Sequence, residues 1–124
     1  MKVYISVEIL GETPAKKNSR ITLPNGKTIP SKRYRDWRGS ALPQVFRQIG
    51  GSRPAINEPC EVAMEFVHGD RRRRDCDNGA SSVLDLLVDA GVLADDNWEI
   101  VRSLKVSNAY EKGNPRVAVR IDAL

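Results

Sequence analysis

The sequence predicts an α/β domain of the α+β kind: a mixed β-sheet of about four strands with two main helices, in the order β-α-β-α-β-β, plus a small basic hairpin near the N-terminus. Three patterns lead there. Val3, Ile5, Val7 and Ile9 alternate with Tyr4, Ser6 and Glu8, the period of a strand buried on one face. Tyr34, Trp37, Ala41, Val45 and Ile49 recur at spacings of three and four, the period of one helix face. Val117, Val119 and Ile121 return to period two near the C-terminus. At 124 residues, 40% of them hydrophobic, the chain has material for one core and reads as a single domain over 1–124.

The first strand covers about residues 2–10. From Gly11 to Pro30 the chain is rich in Gly, Pro, Asn, Ser and Lys, and Asn25-Gly26 sits between two short β-prone arms, which predicts the hairpin. Ser31 can cap the helix that follows, and Gly50-Gly51 can end it. Pro43 lies inside that helix and should kink or split it, because it has no N–H and its ring crowds the preceding turn. Val62, Met64 and Phe66 mark a second strand that runs out at Gly69. Asp77 is placed to cap a second helix over about 78–90. Its apolar residues, from Ala80 to Ala90, cover more than one face, which predicts burial on two sides, one by the sheet and one by a second subunit. Gly91 closes it, and strands over about 99–109 and 115–122 follow, joined by the Glu111-Lys-Gly-Asn114 turn.

Several function classes fall away. No stretch approaches the roughly 20 apolar residues of a membrane helix, and the N-terminus lacks the pattern of a secretory signal, so a cytoplasmic protein without a membrane partner is expected. Cys60 and Cys76 have no CxxC spacing, and His68 is the single histidine, so neither a disulfide framework nor a zinc site is indicated. His68 has no partner at a recognisable spacing and reads as a surface residue.

Charge is segregated along the chain. Between Lys16 and Arg38 lie eight basic residues against Asp36 alone, and Arg71, Arg72, Arg73 and Arg74 form a second basic block. From Asp75 to Val101 there are seven acids and no Lys or Arg. The basic segments suit a polyanion, where each neutralised phosphate releases counterions. An acidic cluster beside a phosphate site would repel DNA unless the acids hold divalent cations. Solvated surface charge is the plainer reading of both runs.

Metal-assisted phosphodiester hydrolysis needs hard oxygen ligands, and Mg²⁺ takes only a few carboxylates besides water and phosphate oxygens. Asp75, Asp77, Asp95 and Asp96 supply that number. In an extended segment residues two apart point the same way, so Asp75 and Asp77 can converge on one ion. An Asp-x-Asp is also what a helix cap beside a surface acid looks like. Its context favours the metal site, since four arginines precede it and one apolar helix leads on to a second acidic pair. Cys76 between the aspartates reads as a small buried filler turned away from the ions. The DNA-facing set is Lys16, Lys17, Asn18, Arg20, Lys27, Lys32, Arg33, Arg71, Arg72, Arg73, Arg74 and Lys105. Trp37, at helical spacing, belongs in the core, whereas Trp98 follows the acidic pair in a loop where it can meet DNA.

Arg72-Arg-Arg-Asp75-Cys-Asp77-Asn78, then Leu84-Asp85-Leu86-Leu87, then Ala90-Gly91-Val92-Leu93-Ala-Asp95-Asp96, resembles the RusA family of Holliday junction resolvases. Pro14-Ala-Lys16-Lys17-Asn18-Ser19 and Tyr34-Arg-Asp-Trp37 are similar to its phage-type members, which makes a bacterial or phage-encoded origin the expectation. The resemblance implies a homodimer that binds four-way DNA junctions and, with Mg²⁺ or Mn²⁺ in its place, makes paired nicks during recombination and repair, with no small-molecule cofactor. It also implies that Asp75, Asp77 and Asp96 are the essential carboxylates, with Asp95 an acidic neighbour. A non-catalytic junction-binding protein of the same fold is the rival reading, and a general nuclease a third.

One departure matters. Where the family commonly carries a lysine on the first turn of the helix, this chain has Ser81, and a hydroxyl brings no charge to the transition state. Arg74, Lys105 or the Lys16-Lys17 pair are the cations available to replace it. A helix of about 13 residues is roughly 20 Å long, so Asp96 meets Asp75 and Asp77 either by the chain doubling back or across a two-fold axis from a second copy.

Overall fold

The computed structural model describes residues 3–15, 20–51 and 53–124. The N-terminal alternation forms β1 (Val3–Leu10), which buries Ile5, Val7 and Ile9 and exposes Ser6 and Glu8. β2 (Arg20–Thr22) and β3 (Thr28–Pro30) pair as a separate antiparallel ribbon, the expected hairpin. Lys27 N–H donates to Asn25 Oδ1 at 3.0 Å across its turn, and Gly26, at φ 85°, takes the left-handed backbone that only glycine adopts without cost.

The helical spacing forms α1 (Lys32–Ile49), with Ser31 Oγ accepting from Tyr34 N–H at 3.3 Å and Gly50 closing it at φ 66°. The expected break at Pro43 does not occur, for α1 runs unbroken through its 18 residues. Pro43 lies on the exposed side, and the carbonyl its ring crowds belongs to exposed Gly39, so the unpaired carbonyl opens to water. From the same helix, Gln44 and Gln48 reach the free edge of β1. Leu10 N–H donates to Gln44 Oε1 at 2.7 Å and Glu8 N–H to Gln48 Oε1 at 2.8 Å, which satisfies an edge that would otherwise invite another strand.

The rest of the chain supplies β4 (Cys60–His68), α2 (Ala80–Asp89), β5 (Val101–Tyr110) and β6 (Arg116–Ala123). The four long strands make one mixed sheet in the order β1-β6-β4-β5, with β4 and β5 parallel and joined through α2, and the other pairs antiparallel. Register sets Val62 opposite Ile121 and Met64 opposite Val119, so these side chains share one face. Both helices pack there, around a core that includes Ile9, Val45, Val62, Leu86, Leu87 and Ile121. The opposite face carries Ser6, Ala63, Glu65, Ala118 and Arg120.

One expectation for α2 changes. It begins at Ala80 with Gly79 as its cap, and no side chain, Asp77 included, makes a capping hydrogen bond. Asp77 acts through its backbone instead, its carbonyl accepting from Ala80 N–H at 3.0 Å within a turn over 76–79. Within the chain Ser82 Oγ donates to the Pro14 carbonyl at 2.6 Å and Val83, Leu86 and Leu87 are fully buried, while Leu84 and Val88 stay half-buried. Among the described residues no helix is long and apolar enough to cross a membrane.

Candidate functional site

The site grows out of the end of β4. Gly69 follows that strand against Pro115, so closely that a Cβ there would lie 2.8 Å from Pro115 Cδ. The chain then swings out through Asp70 into the arginines. Arg74 turns inward, its guanidinium 2.9 Å from both Asp70 Oδ1 and Glu12 Oε1, and its side chain is 15% exposed. The Arg72 N–H and the Arg74 guanidinium together hold the Asp70 carboxyl below the usual range. Arg71 lies with its guanidinium 4.1 Å from the centre of the Tyr110 ring, a cation–π contact, while Arg72 and Arg73 are exposed. The four arginines thus divide into one structural side chain and three at the surface.

Asp75 and Asp77 follow, both exposed. They line one cleft of about 330 Å³ together with Ser81 and Leu104, so the two carboxylates and the first turn of α2 share a wall. Asp75 also lines a second hollow of about 340 Å³, whose other walls include Arg71, Arg72 and Tyr110. An acidic cleft and a basic one therefore meet at Asp75. Among the described residues neither carboxylate has an ion-pair partner. Cys76 is exposed rather than buried, because the turn over 76–79 lifts it clear of the sheet.

The acidic pair lies in the loop beyond α2. α2 is ten residues long, about 15 Å, and the chain reverses after it as Val92 N–H and Leu93 N–H both donate to the Leu87 carbonyl, at 2.9 and 3.2 Å. Ala94 N–H donates to the Ile56 carbonyl at 2.9 Å and fixes the loop. Asp95 closes a local turn, accepting from Asp96 N–H at 2.7 Å and from the Asn97 amide at 3.1 Å, which holds its carboxyl below the usual range. Asp96 is the reverse case. Partial burial, the nearby charge of Asp85 and the Asp95 carboxyl together push its carboxyl up. Asp85, whose charge adds to this, sits one helical turn beyond Ser81 on α2.

This donor set suits a divalent ion. Among the described residues no three His, Cys, Asp or Glu side chains converge closely enough to hold an ion unaided. Mg²⁺ needs no such cage, as it keeps waters and binds through one or two carboxylates plus phosphate oxygens. Asp75 and Asp77 offer two carboxylates without protein partners among the described residues, and Asp96 is a carboxylate whose charge its surroundings penalise.

The remaining residues of interest scatter more. Lys16, Lys17 and Asn18 lie outside the described residues, as does the side chain of Arg20. Lys27 is exposed beyond the hairpin turn; Lys32 pairs with Asp36 at 2.6 Å, and Arg33 is exposed at the start of α1. Lys105 pairs with Glu61 at 3.3 Å on the open face of the sheet, opposite Leu104 and hence opposite the acidic cleft. Trp37 is buried and Trp98 is 71% exposed, its ring 5.5 Å from the Arg102 guanidinium. The sequence reading of His68 does not hold. The ring lies between Glu12 and Asn108, with its side chain 17% exposed, because Glu12 comes from 56 residues away and no local spacing announces it. Asp85 is the other residue sequence reasoning left out, hidden among the leucines of α2.

Comparison with known proteins points to one family. A family profile described as Endodeoxyribonuclease RusA matches residues 11–122. The chain is 29% identical over 113 residues to a crossover junction endodeoxyribonuclease RusA of Aquifex aeolicus (strain VF5), covering 90% of this chain and 86% of that protein.

Proposed function

Since the chain belongs to the RusA family of endodeoxyribonucleases, we propose that it is a Mg²⁺-dependent, structure-selective nuclease that resolves four-way DNA junctions by paired nicks in recombination and repair. The observation that carries this reading is the position of Asp75, shared by a cleft whose carboxylates have no ion-pair partner among the described residues and a hollow walled by Arg71 and Arg72. A phosphodiester lying across Asp75 meets cationic side chains on one side and the carboxylates of a metal site on the other.

Asp75, Asp77 and Asp96 would hold the ion, with Asp95 shaping the loop that presents Asp96. When bound, Mg²⁺ lowers the pKa of a coordinated water and offsets charge building on the phosphate. The chain's own residues do the rest. Arg71, Arg72 and Arg73 grip phosphates, and Lys27, Lys32 and Arg33 extend the basic track. Arg74 contributes by anchoring that segment to Glu12 and Asp70. Lys16, Lys17, Asn18, Arg20 and Lys105 complete the set assigned to DNA, Lys105 serving strands that pass over the open sheet face. The neighbourhood of Asp85 and Asp96 favours a site built within one subunit.

A junction presents two symmetric strands, and two sites acting together require two subunits, so the working unit is a homodimer in the cytoplasm. The experiment is a labelled four-way junction incubated with and without Mg²⁺, beside linear duplex. Paired, Mg²⁺-dependent nicks in the junction are expected; binding without nicks in any divalent metal would establish the rival, non-catalytic reading. Mixing Asp77→Asn with Asp96→Asn protein should leave each heterodimer with two singly altered sites and no nicking; restored nicking would mean that Asp96 serves the partner subunit's site.

A further inference from the structure

The turn that carries Asp75 and Asp77 makes few attachments to the rest of the protein. Asn78 N–H donates to the Asp75 carbonyl at 3.1 Å and Ala80 N–H to the Asp77 carbonyl at 3.0 Å, both within the turn itself. Among the described residues one hydrogen bond ties its backbone to the sheet: Asn108 Nδ2 donates to the Cys76 carbonyl at 2.9 Å, between the two aspartates. That bond fixes the Asn108 amide, since the NH₂ end faces Cys76 and the oxygen must face away. The oxygen meets His68, whose Nε2 donates to Asn108 Oδ1 at 2.8 Å. On the far side of the ring Nδ1 lies 3.0 Å from Glu12 Oε2, and the other oxygen of Glu12 holds Arg74. Phe66 stacks beside the imidazole with ring planes 11° apart. Each group in this line fixes the orientation of the next, from β1's exit at Glu12, across β4 and β5, to the Cys76 carbonyl.

We propose that Glu12, His68 and Asn108 are positioning residues for the nuclease site, setting the placement of Asp75 and Asp77 through the Cys76 carbonyl. The assignment rests on the metal-site reading above. None of the three touches the reacting atoms. A carboxylate pair on a turn holds an ion well only if the turn does not have to be ordered when the ion arrives, and groups behind the ligands commonly alter metal affinity or activity by about 10–100-fold. Glu12 joins the two halves of the site, since the carboxylate that orients His68 also holds Arg74 at the end of the arginine run.

Asn108→Asp tests this directly, because it keeps the shape and the acceptor for His68 but removes the donor to Cys76. Asn108 is exposed on an edge strand, and circular dichroism checks the fold. Three readouts are expected to move together: Mn²⁺ affinity, read from the electron paramagnetic resonance of the free ion, falls about 10–100-fold; junction kcat falls by a similar factor while KM stays within about twofold; and the Asn78 and Ala80 amides exchange faster in metal-free protein. His68→Ala should show the same pattern, and His68→Gln, whose amide can still donate to Asn108 Oδ1, should recover most of it. Wild-type Mn²⁺ affinity, kcat and exchange in both Asn108→Asp and His68→Ala overturn the positioning chain and leave the nuclease reading intact. Wild-type protein that binds no Mn²⁺, or binds it equally after Asp77→Asn, overturns both.

Discussion

Replacing Gly79 by alanine should destabilise the protein and loosen its proposed site, and the structure sets the size of the effect. Gly79 caps α2 two residues after Asp77, at φ −100° and ψ −2°, a conformation alanine adopts freely. Backbone strain is therefore not the issue. A Cβ there would lie 2.9 Å from Phe66 Cε1 and 2.9 Å from Thr13 Cγ2, whereas carbon atoms rest about 3.5–4.0 Å apart. The turn must back away by about 0.6–1 Å, or two core groups must yield, since Phe66 is 3% and Thr13 6% exposed. Overpacking of this kind costs about 1–3 kcal/mol. For a domain of this size that is a fall in Tm of about 4–12 °C, read by circular dichroism. Thr13→Ser removes the Cγ2 and leaves Phe66 Cε1 and, at 3.1 Å, Thr13 Cβ, so in the Gly79→Ala background it should return part of the loss, with a coupling of about 0.5 kcal/mol or more in the double-mutant cycle. A Tm for Gly79→Ala within a degree of wild type, or strict additivity with Thr13→Ser, would refute the claim that the turn is seated directly on the core.

Asp96→Asn should raise the Tm of metal-free protein at pH 7 while abolishing nicking. The folded state raises this carboxyl and so penalises its ionised form at neutral pH, a penalty that fades as pH falls through the raised folded value toward 3.8 and is gone below it, where wild type and variant should converge. If the variant is less stable at pH 7, Asp96 is not under the repulsion described. Ser81→Lys adds an ammonium to the wall shared by Asp75 and Asp77 without steric cost, as Ser81 is exposed, and junction cleavage should rise about 10-fold or more; equal rates would mean the serine is no handicap. Exposed Cys76 should react with a thiol reagent in the native protein and be shielded by junction DNA. Cys60, buried, bonded to the Ile100 carbonyl at 3.2 Å and with its thiol pushed up by burial, should react only after unfolding. Two fast thiols in the native state would contradict the burial of Cys60.

The strands and helices were legible because their signals are local. Period two announces β1 and β6, spacings of three and four announce α1, and Ser31, Gly50 and Asn25-Gly26 end or turn elements in ways their own chemistry dictates. Even so, local rules misplaced two features. Pro43 does not break α1, since its cost falls on a carbonyl open to water, and Asp77 does not cap α2, since the chain makes one more turn before the helix begins. Ser82 of α2 bonds to the Pro14 carbonyl, 68 positions earlier in the chain, a tertiary fact that no window on the sequence holds.

The same division runs through the site. Arg71 to Asp77 is one continuous stretch, so both its basic and its acidic character could be read, as could the Asp95-Asp96 pair. What could not be read is how these side chains are divided between roles, because that depends on partners far away in sequence. Arg74 looks like its three neighbours and is distinguished only by Glu12, which lies 62 positions earlier in the chain. Asp95 and Asp96 are the same residue type side by side, yet the first spends its charge on its own turn and the second faces Asp85. A carboxylate whose ionisation is penalised gains most from a cation, so an ion bound nearby would relieve Asp96 more than Asp95. The segregated charge that first suggested DNA thus has a physical sequel. The folded chain neutralises some of these groups internally, and those without an ion-pair partner among the described residues would be the ones open to metal and phosphate.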